Sequence, residues 1–587
     1  MKRTLICILA LLLSLSMLFV ACDSTPPVNN DNDQNGGGGT TTPPTQNPPA
    51  DTTFKRTENY LPADFYAQMK TYFESTEKGF YPYDDLSKAP LVCTDVFVIS
   101  NCVVKSITIP VFSTDETDKN GDFTFTMYVL PNDWAGLRAE MADPMEKFEI
   151  KINAAEHGLT ENTSAVRKFI KVDLSEYEIE LSDEETLGFG HADDTLIPAR
   201  VMTKGSVDNL GREKYVPAKY MIDEWDVVGY YYYDHTIDAD TEKEVGFSYV
   251  DNSLLFDFEF ERTYESEAAY NEMVTKKAND DAAYAEKLAA VKAAYAGKYL
   301  SLMGDSISTF NTVTNDPDLG LSKNPAYSKY TLSGAVYTYA RTYWGKLATE
   351  TDMELCVINS WGGGKVYGWP SKYEGKDGML LRSYNLAKDG QAPDLILLNF
   401  GINDMGSSYS SIQDKTSSRY TGNLPTGDLY QRLTAENKTK TDKEIVAEWF
   451  AEVQREAATA GYNPEDPDTI TFDTAGKSNI YSCWEAAYAL SLQNIKRLYP
   501  NAEVFCVTLP DRNHTSSTQP RLTKANTIIS ALAEYFGFGL VEQANSGVVR
   551  ENCVMYAADG TGLHPNGKGH AALTRAIVEE LYENLQK

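Results

Sequence analysis

The stretch Tyr299-Leu300-Ser301-Leu302-Met303-Gly304-Asp305-Ser306-Ile307-Ser308 is a short, mostly apolar run that stops abruptly at Gly-Asp-Ser. A run of that length bounded by turn residues reads as a buried strand. Equivalent runs recur at Leu355 to Ile358, Leu395 to Phe400, Val504 to Leu509 and, more weakly, near Leu540, spaced by helical stretches such as Ala486 to Leu498 and His570 to Leu585. Strands alternating with helices predict an α/β domain with a parallel sheet, in which ligands bind beyond the carboxyl ends of the strands. Chemistry is therefore expected immediately after each run.

Ser306 follows the first run, at a strand-to-helix turn whose free N–H groups favour negative charge. The segment is not the G-x-S-x-G elbow of α/β-hydrolases, because its fifth residue is Ser308. Asn359-Ser360-Trp361-Gly362-Gly363-Gly364 follows the second run, and Gly401-Ile402-Asn403-Asp404 follows the third. Glycines let a backbone N–H approach a reacting oxygen closely, and an Asn amide can donate to the same oxyanion. Each segment alone could be an ordinary loop, but their order and placement agree with the serine. Near the C-terminus, Asp559-Gly560-Thr561-Gly562-Leu563-His564-Pro565-Asn566 precedes the last predicted helix, which makes His564 a candidate general base.

Together these segments resemble the SGNH, or GDSL-type, esterase and lipase superfamily over about residues 297–585. Ser306, a glycine of the 362–364 cluster, Asn403 and His564 match its four named residues in order. The resemblance implies a three-layer α/β fold with a flavodoxin-like parallel sheet over 297–587. It also implies Ser306 as nucleophile and His564 as the base that takes its proton and later delivers it to the leaving alcohol. The oxyanion hole would comprise the N–H groups of Ser306 and Gly363 and the side chain of Asn403, with Gly362 as the alternative glycine. One position departs from the pattern. The family usually places an Asp three residues before the His, where this chain has Thr561, and Asp559 lies five before it. Either Asp559 orients the imidazole, or a backbone carbonyl does so and the site runs as a dyad. No cofactor and no metal is expected.

An insertion over about 405–480, with a helix at Lys443 to Ala458 and an acidic loop at Pro464 to Asp468, starts at an active-site strand end. It is expected to form a wall or lid, the alternative being a surface excursion. Upstream, residues 266–296 are rich in Ala, Lys and Glu without an interior Pro, which predicts a helical connector. Within an accessory domain expected over 56–265, the dominant period from about residue 90 to 264 is two: Phe123, Phe125, Met127 and Val129 alternate with polar residues, as do Phe256, Phe258 and Phe260. Further runs at Val103 to Phe112, Phe148 to Ile152, Phe169 to Leu174, Tyr177 to Leu181 and Val227 to His235 predict an all-β sandwich or jelly roll, with a helix before it at Tyr60 to Glu77. The Asp118 to Asp122 run suits a hairpin turn better than a calcium loop. Tyr230 to Tyr233 could stack on sugar rings or simply pack in a strand.

Lys2 and Arg3 before an apolar run from Leu5 to Val20, ending at Ala21-Cys22, have the layout of a secretory signal. It resembles a bacterial lipoprotein signal over 1–22, with Cys22 lipidated at the cell envelope. Residues 23–55, with Pro26-Pro27, Gly36 to Gly39, Pro43-Pro44 and Pro48-Pro49, read as a flexible stalk. Six cysteines follow Cys22 without a C-x-x-C pair, which argues against a structural zinc site, and Cys93 and Cys102 could be bridged or two buried thiols.

With 53 Lys and Arg against 84 Asp and Glu, the formal charge is −31, which argues against a nucleic-acid partner. The expected protein is a membrane-anchored serine esterase acting on O-acyl, chiefly O-acetyl, esters of an acylated carbohydrate. The alternatives are an inactive glycan-binding surface lipoprotein, or a lipase, lysophospholipase or thioesterase of the same superfamily.

Overall fold

The computed structural model describes residues 53–59, 101–113, 122–131, 146–153, 166–182, 185–191, 197–202, 257–309, 342–366, 378–405, 428–470, 483–510, 519–549, 563–565 and 567–587, with short pieces at 67, 70–71, 80–82, 92–94, 156–157, 230–233, 247–249, 252–254 and 340. The leader with Cys22, the stalk up to residue 52, the Asp118 to Gly121 turn, and nearly all of the helix expected at Tyr60 to Glu77 lie outside these residues. So does the Cys93 side chain on which a bridge to Cys102 would depend.

The described residues of the first half are mostly strands, in two antiparallel sheets. In one, Cys102–Ser113 pairs with Val166–Asp173 and with Asp257–Tyr264, and Phe54–Asn59 adds to the outer side of Asp257–Tyr264 in the register Phe54↔Tyr264. In the other, Asp122–Pro131 lies between Glu146–Asn153 and Glu185–His191. The alternation read from the sequence is the burial pattern: Phe258, Phe260, Met127 and Val129 are all within 2% of full burial. The run at Tyr177 to Leu181 is different. Only Glu180–Leu181 is strand, because Asp173 accepts a hydrogen bond from the Ser175 N–H and Glu178 takes φ +48°, which turns Ser175–Tyr177 into a single 3₁₀ turn. The strands Glu185–His191 and Ile197–Met202 are not evident from sequence, since Gly188, Gly190 and Pro198 weaken the strand signal.

Helix α1 (Glu267–Tyr295) joins the halves. Ser266 caps it by accepting the Ala269 N–H at 3.1 Å. Every residue from 271 to 283 is exposed, so this part of the helix is held by propensity rather than by an apolar face. Its last turns enter the core through Val291 and Tyr295, and the Tyr295 hydroxyl donates to Glu503 at 2.6 Å. At its start Tyr270 packs edge-on against Tyr264, with Phe54 beside it.

The second half holds five parallel strands, β1 (Tyr299–Gly304), β2 (Glu354–Ser360), β3 (Leu395–Asn399), β4 (Glu503–Val507) and β5 (Gly539–Val541), in the order β2-β1-β3-β4-β5. This is the doubly wound order in which the sequence of strand addition switches direction between β1 and β3, where such sheets place their ligands. One helical layer contains α1, α2 (Tyr343–Thr351) and α8 (Gly567–Leu585). The other contains α3 (Met379–Arg382), α4 (Leu429–Leu433), α5 (Asp442–Thr459), α6 (Trp484–Leu498) and α7 (Gln519–Phe536). Covered on both faces, β3 is buried at every residue, and each leucine there contributes roughly 1.5–3 kcal/mol. Helix α5 packs into this layer: Thr441 and Glu444 form a capping box, and Trp449, Phe450 and Val453 are buried, with the Phe450 ring 5.3 Å from that of Phe536 on α7.

Candidate active site

The register fixes where the strand ends fall. Gly304 pairs with Ser360 on one side and with Asn399 on the other, so β1, β2 and β3 finish level. With strands about 4.8 Å apart, the segments leaving them start within roughly 10 Å of one another. These are the three segments singled out above.

Ser306 opens a 3₁₀ turn, Ser306–Ser308, capped by the buried Asp305, whose carboxylate accepts the Ile307 N–H at 3.0 Å. The turn is held from below. Ser308 Oγ is 2.8 Å from the Tyr343 hydroxyl, and Trp344 Nε1 donates to the Ser308 carbonyl at 3.0 Å. Gly304 cannot carry a side chain, because a Cβ there would lie 2.3 Å from Ser308 Oγ. Ser306 itself is 6% exposed, and its Oγ lies 3.2 Å from Nε2 of His564. These two residues are 258 positions apart in the chain.

On the second segment, the Gly364 N–H donates to the Trp361 carbonyl at 3.0 Å, so it is engaged within the turn. Gly363, at φ +77° with open space where a Cβ would be, is the exposed member of the cluster. On the third, Gly401 at φ +124° packs so closely on Trp484 and Val366 that a Cβ would fall 3.3–3.4 Å from them. The half-buried Asn403 follows, and its amide donates to the Gly364 carbonyl at 3.0 Å. Asp404 is buried and accepts the Val366 N–H at 3.0 Å. These two bonds tie the second segment to the third, and Asn403 retains another amide proton.

The other described histidine of this half has a different environment. His570 is 3% exposed, and burial lowers its pKa to about 3, so it stays neutral. Its Nδ1 accepts the Tyr343 N–H at 3.1 Å, which leaves the ring proton on Nε2. Asp559 and Thr561 lie outside the described residues, as does His514. Among the described residues, no three His, Cys, Asp or Glu side chains gather as a metal set, and no helix is long and apolar enough to cross a membrane.

A hydroxyl within hydrogen-bond reach of an imidazole, beside a glycine turn and an asparagine amide, can perform acyl transfer. Residues 302–572 match the family model described as the GDSL-like lipase/acylhydrolase family. The stretch from 302 to 572 is therefore a GDSL-like lipase/acylhydrolase domain. It is an SGNH-type serine hydrolase. No curated protein matches the chain. Solved structures that resemble it include a family two carbohydrate esterase from Clostridium thermocellum in complex with cellohexaose, at 12% identity over 87% of this chain and 98% of that one, TM-score 0.27. A protein from Bacteroides ovatus described as a GDSL-like lipase shares 16% identity over 48% of this chain and 96% of that one, TM-score 0.27. A carbohydrate acetylesterase from Sinorhizobium meliloti shares 13% over 49% and 99%, TM-score 0.27.

Proposed function

We propose that this GDSL-family acylhydrolase is an extracytoplasmic serine esterase, tethered through lipidated Cys22, that removes O-acyl groups, O-acetyl foremost, from carbohydrate. The observation that carries the catalytic reading is the 3.2 Å separation of Ser306 Oγ and His564 Nε2. His564 takes the hydroxyl proton as Ser306 attacks the ester carbonyl. The resulting oxyanion meets the N–H groups of Ser306 and Gly363 and the free amide proton of Asn403, where each donor contributes about 3 kcal/mol. As the C–O bond breaks, His564 delivers its proton to the leaving alcohol. Water, deprotonated by the same imidazole, then releases the acid and regenerates Ser306. Asp559 is the proposed partner of the other imidazole nitrogen. The carbohydrate assignment is supported by the export-type leader, the long stalk, and a β-rich half that the ester chemistry does not require.

The test is labelling with a fluorophosphonate, followed by turnover of acetylated xylan, other acetylated glycans and long-chain lipid esters. Modification at Ser306 that disappears in Ser306→Ala, with turnover of the acetylated glycans, is expected. Folded protein that does not label would leave a glycan-binding lipoprotein instead. Turnover confined to lipid esters would overturn the glycan assignment while leaving the serine mechanism standing.

A further inference from the structure

Behind the three segments lies one cationic side chain that the reaction does not touch. Arg382, the last residue of α3, is 3% exposed. Its Nη2 donates to the Gly304 carbonyl at 2.8 Å and to the Asn359 carbonyl, and its Nε donates to Asn359 Oδ1 at 3.0 Å. The guanidinium stacks over the Phe400 ring, 4.7 Å from its centroid. Gly364 lies against it so tightly that a Cβ there would come 2.8 Å from Nη1. Asn359 answers by donating to the carbonyls of Arg382 and Asn385, each at 3.2 Å.

Gly304 stands two residues before Ser306, Asn359 opens the segment leading to Gly363, and Phe400 stands three before Asn403. One planar group therefore touches the root of every segment that is to supply an oxyanion donor. Burying a guanidinium is expensive, and an apolar chain of similar volume would fill the space at less cost. What the apolar chain could not do is satisfy two carbonyl oxygens at the ends of parallel strands. The Gly304 carbonyl has one other, longer bond, from the Trp361 N–H at 3.3 Å, so the guanidinium adds the shorter tie at Gly304 and joins it to the Asn359 carbonyl. The fork of an arginine matches two acceptors and a ring face at once, which a lysine cannot.

We propose that Arg382 is the positioning residue of the oxyanion site, holding the Ser306, Gly363 and Asn403 segments in mutual register, an inference that rests on the serine esterase reading above. It acts through the three segments and not on substrate, so its removal should lower kcat while KM is largely kept. Arg382→Lys, Arg382→Met and Asn359→Ala are compared with wild type on p-nitrophenyl acetate. Active sites are counted in each preparation by exhaustive fluorophosphonate labelling, so that rates refer to competent molecules. Expected losses in kcat per labelled site are about 100-fold for Arg382→Met and about 10-fold for Arg382→Lys and Asn359→Ala, with KM within about threefold, on the scale of one misplaced oxyanion donor. Unchanged kcat per labelled site in the lysine and Asn359 variants, whatever their thermal stability, would reduce Arg382 to a core residue and overturn the proposal. If Arg382→Met does not fold, Asn359→Ala decides, since that residue is half-exposed. Absence of labelling and turnover in wild type itself would instead refute the esterase reading.

Discussion

Between residues 101 and 264 the described core is nearly all hydrocarbon, exemplified by Val104, Ile107, Ile150, Phe258 and Phe260, and its buried polar side chains are Ser106 and Thr108. Beyond residue 300 the core is just as tight, yet it encloses Asp305, Arg382, Asn399, Asp404, Glu485 and His570. A buried polar group destabilises unless it is hydrogen-bonded, so a fold concentrates such groups only where they are needed. Many of them sit at the carboxyl ends of β1, β2 and β3 or just beneath. Ser308, Tyr343, Asn399 and Gln543 form a chain of bonds, from 2.8 Å at Ser308 to 3.4 Å at Gln543, below the candidate nucleophile. The difference between the halves teaches that the β-rich half is built for packing, whereas the α/β half trades some stability for a fixed arrangement of dipoles.

The sharpest way to press that contrast is to remove the imidazole. His564→Ala should reduce kcat about 10⁴-fold or more, while the thermal midpoint stays near wild type because His564 is only half-buried. Steady-state kinetics beside differential scanning fluorimetry checks both. A loss below tenfold would show that the 3.2 Å contact is not the working pair.

The opposite experiment is made in the dry half. Phe258 is 1% exposed on the inner face of its strand, and Phe258→Ala should cost about 3–5 kcal/mol of stability. It should nevertheless leave kcat within about twofold under conditions where the protein is folded. Urea unfolding with activity measured in parallel tests it. A kcat that fell with stability would mean that the β-rich half supports the geometry of the site, and the contrast would break.

The sequence discloses the site unevenly, for physical reasons. Ser306, the glycine cluster and Asn403 stand out as candidates because short apolar runs locate the strand ends, His564 because it precedes the last helix, and the 3.2 Å contact brings the first and last of these together. The five strands are legible for the same reason, whereas Glu185–His191 hides behind its glycines. Arg382 is not legible. In Met379-Leu380-Leu381-Arg382 it reads as a cation closing a short helix, favourable with the helix dipole and exposed. Gly304, Asn359, Gly364 and Phe400, gathered from the ends of three strands, enclose it. Glu485 misleads in the same way. As the second residue of α6 it looks like a solvated acid near a helix start, but Leu429, which opens α4 and lies 56 positions earlier, donates its N–H to it at 2.9 Å.

Glu485 and His570 supply the mildest and most specific consequence of the contrast. Burial raises the Glu485 pKa to about 7, against the backbone N–H groups of Leu429 and Tyr430 and the charge of Lys524, and with the charge of Asp428. It lowers that of His570 to about 3. As pH rises from about 4.5 to about 7, an unfolded Glu485 gives up a proton that the folded one keeps, so its share of stability is present at low pH and lost on the way up. As pH falls from about 6.5 toward 3, an unfolded His570 takes up a proton that the folded one refuses, so its share is present at high pH and lost on the way down. Each slope is at most about 1.4 kcal/mol per pH unit, and the two have opposite signs. Between about pH 5 and 6.5 they should largely cancel. Glu485→Gln should then make stability rise with pH across that window, and His570→Asn, which keeps an acceptor for the Tyr343 N–H, should make it fall. Urea midpoints at four pH values would read both slopes. Matching flat profiles in the two variants would show that neither group keeps its neutral form in the fold, and that this part of the α/β core is wetter than its burial implies.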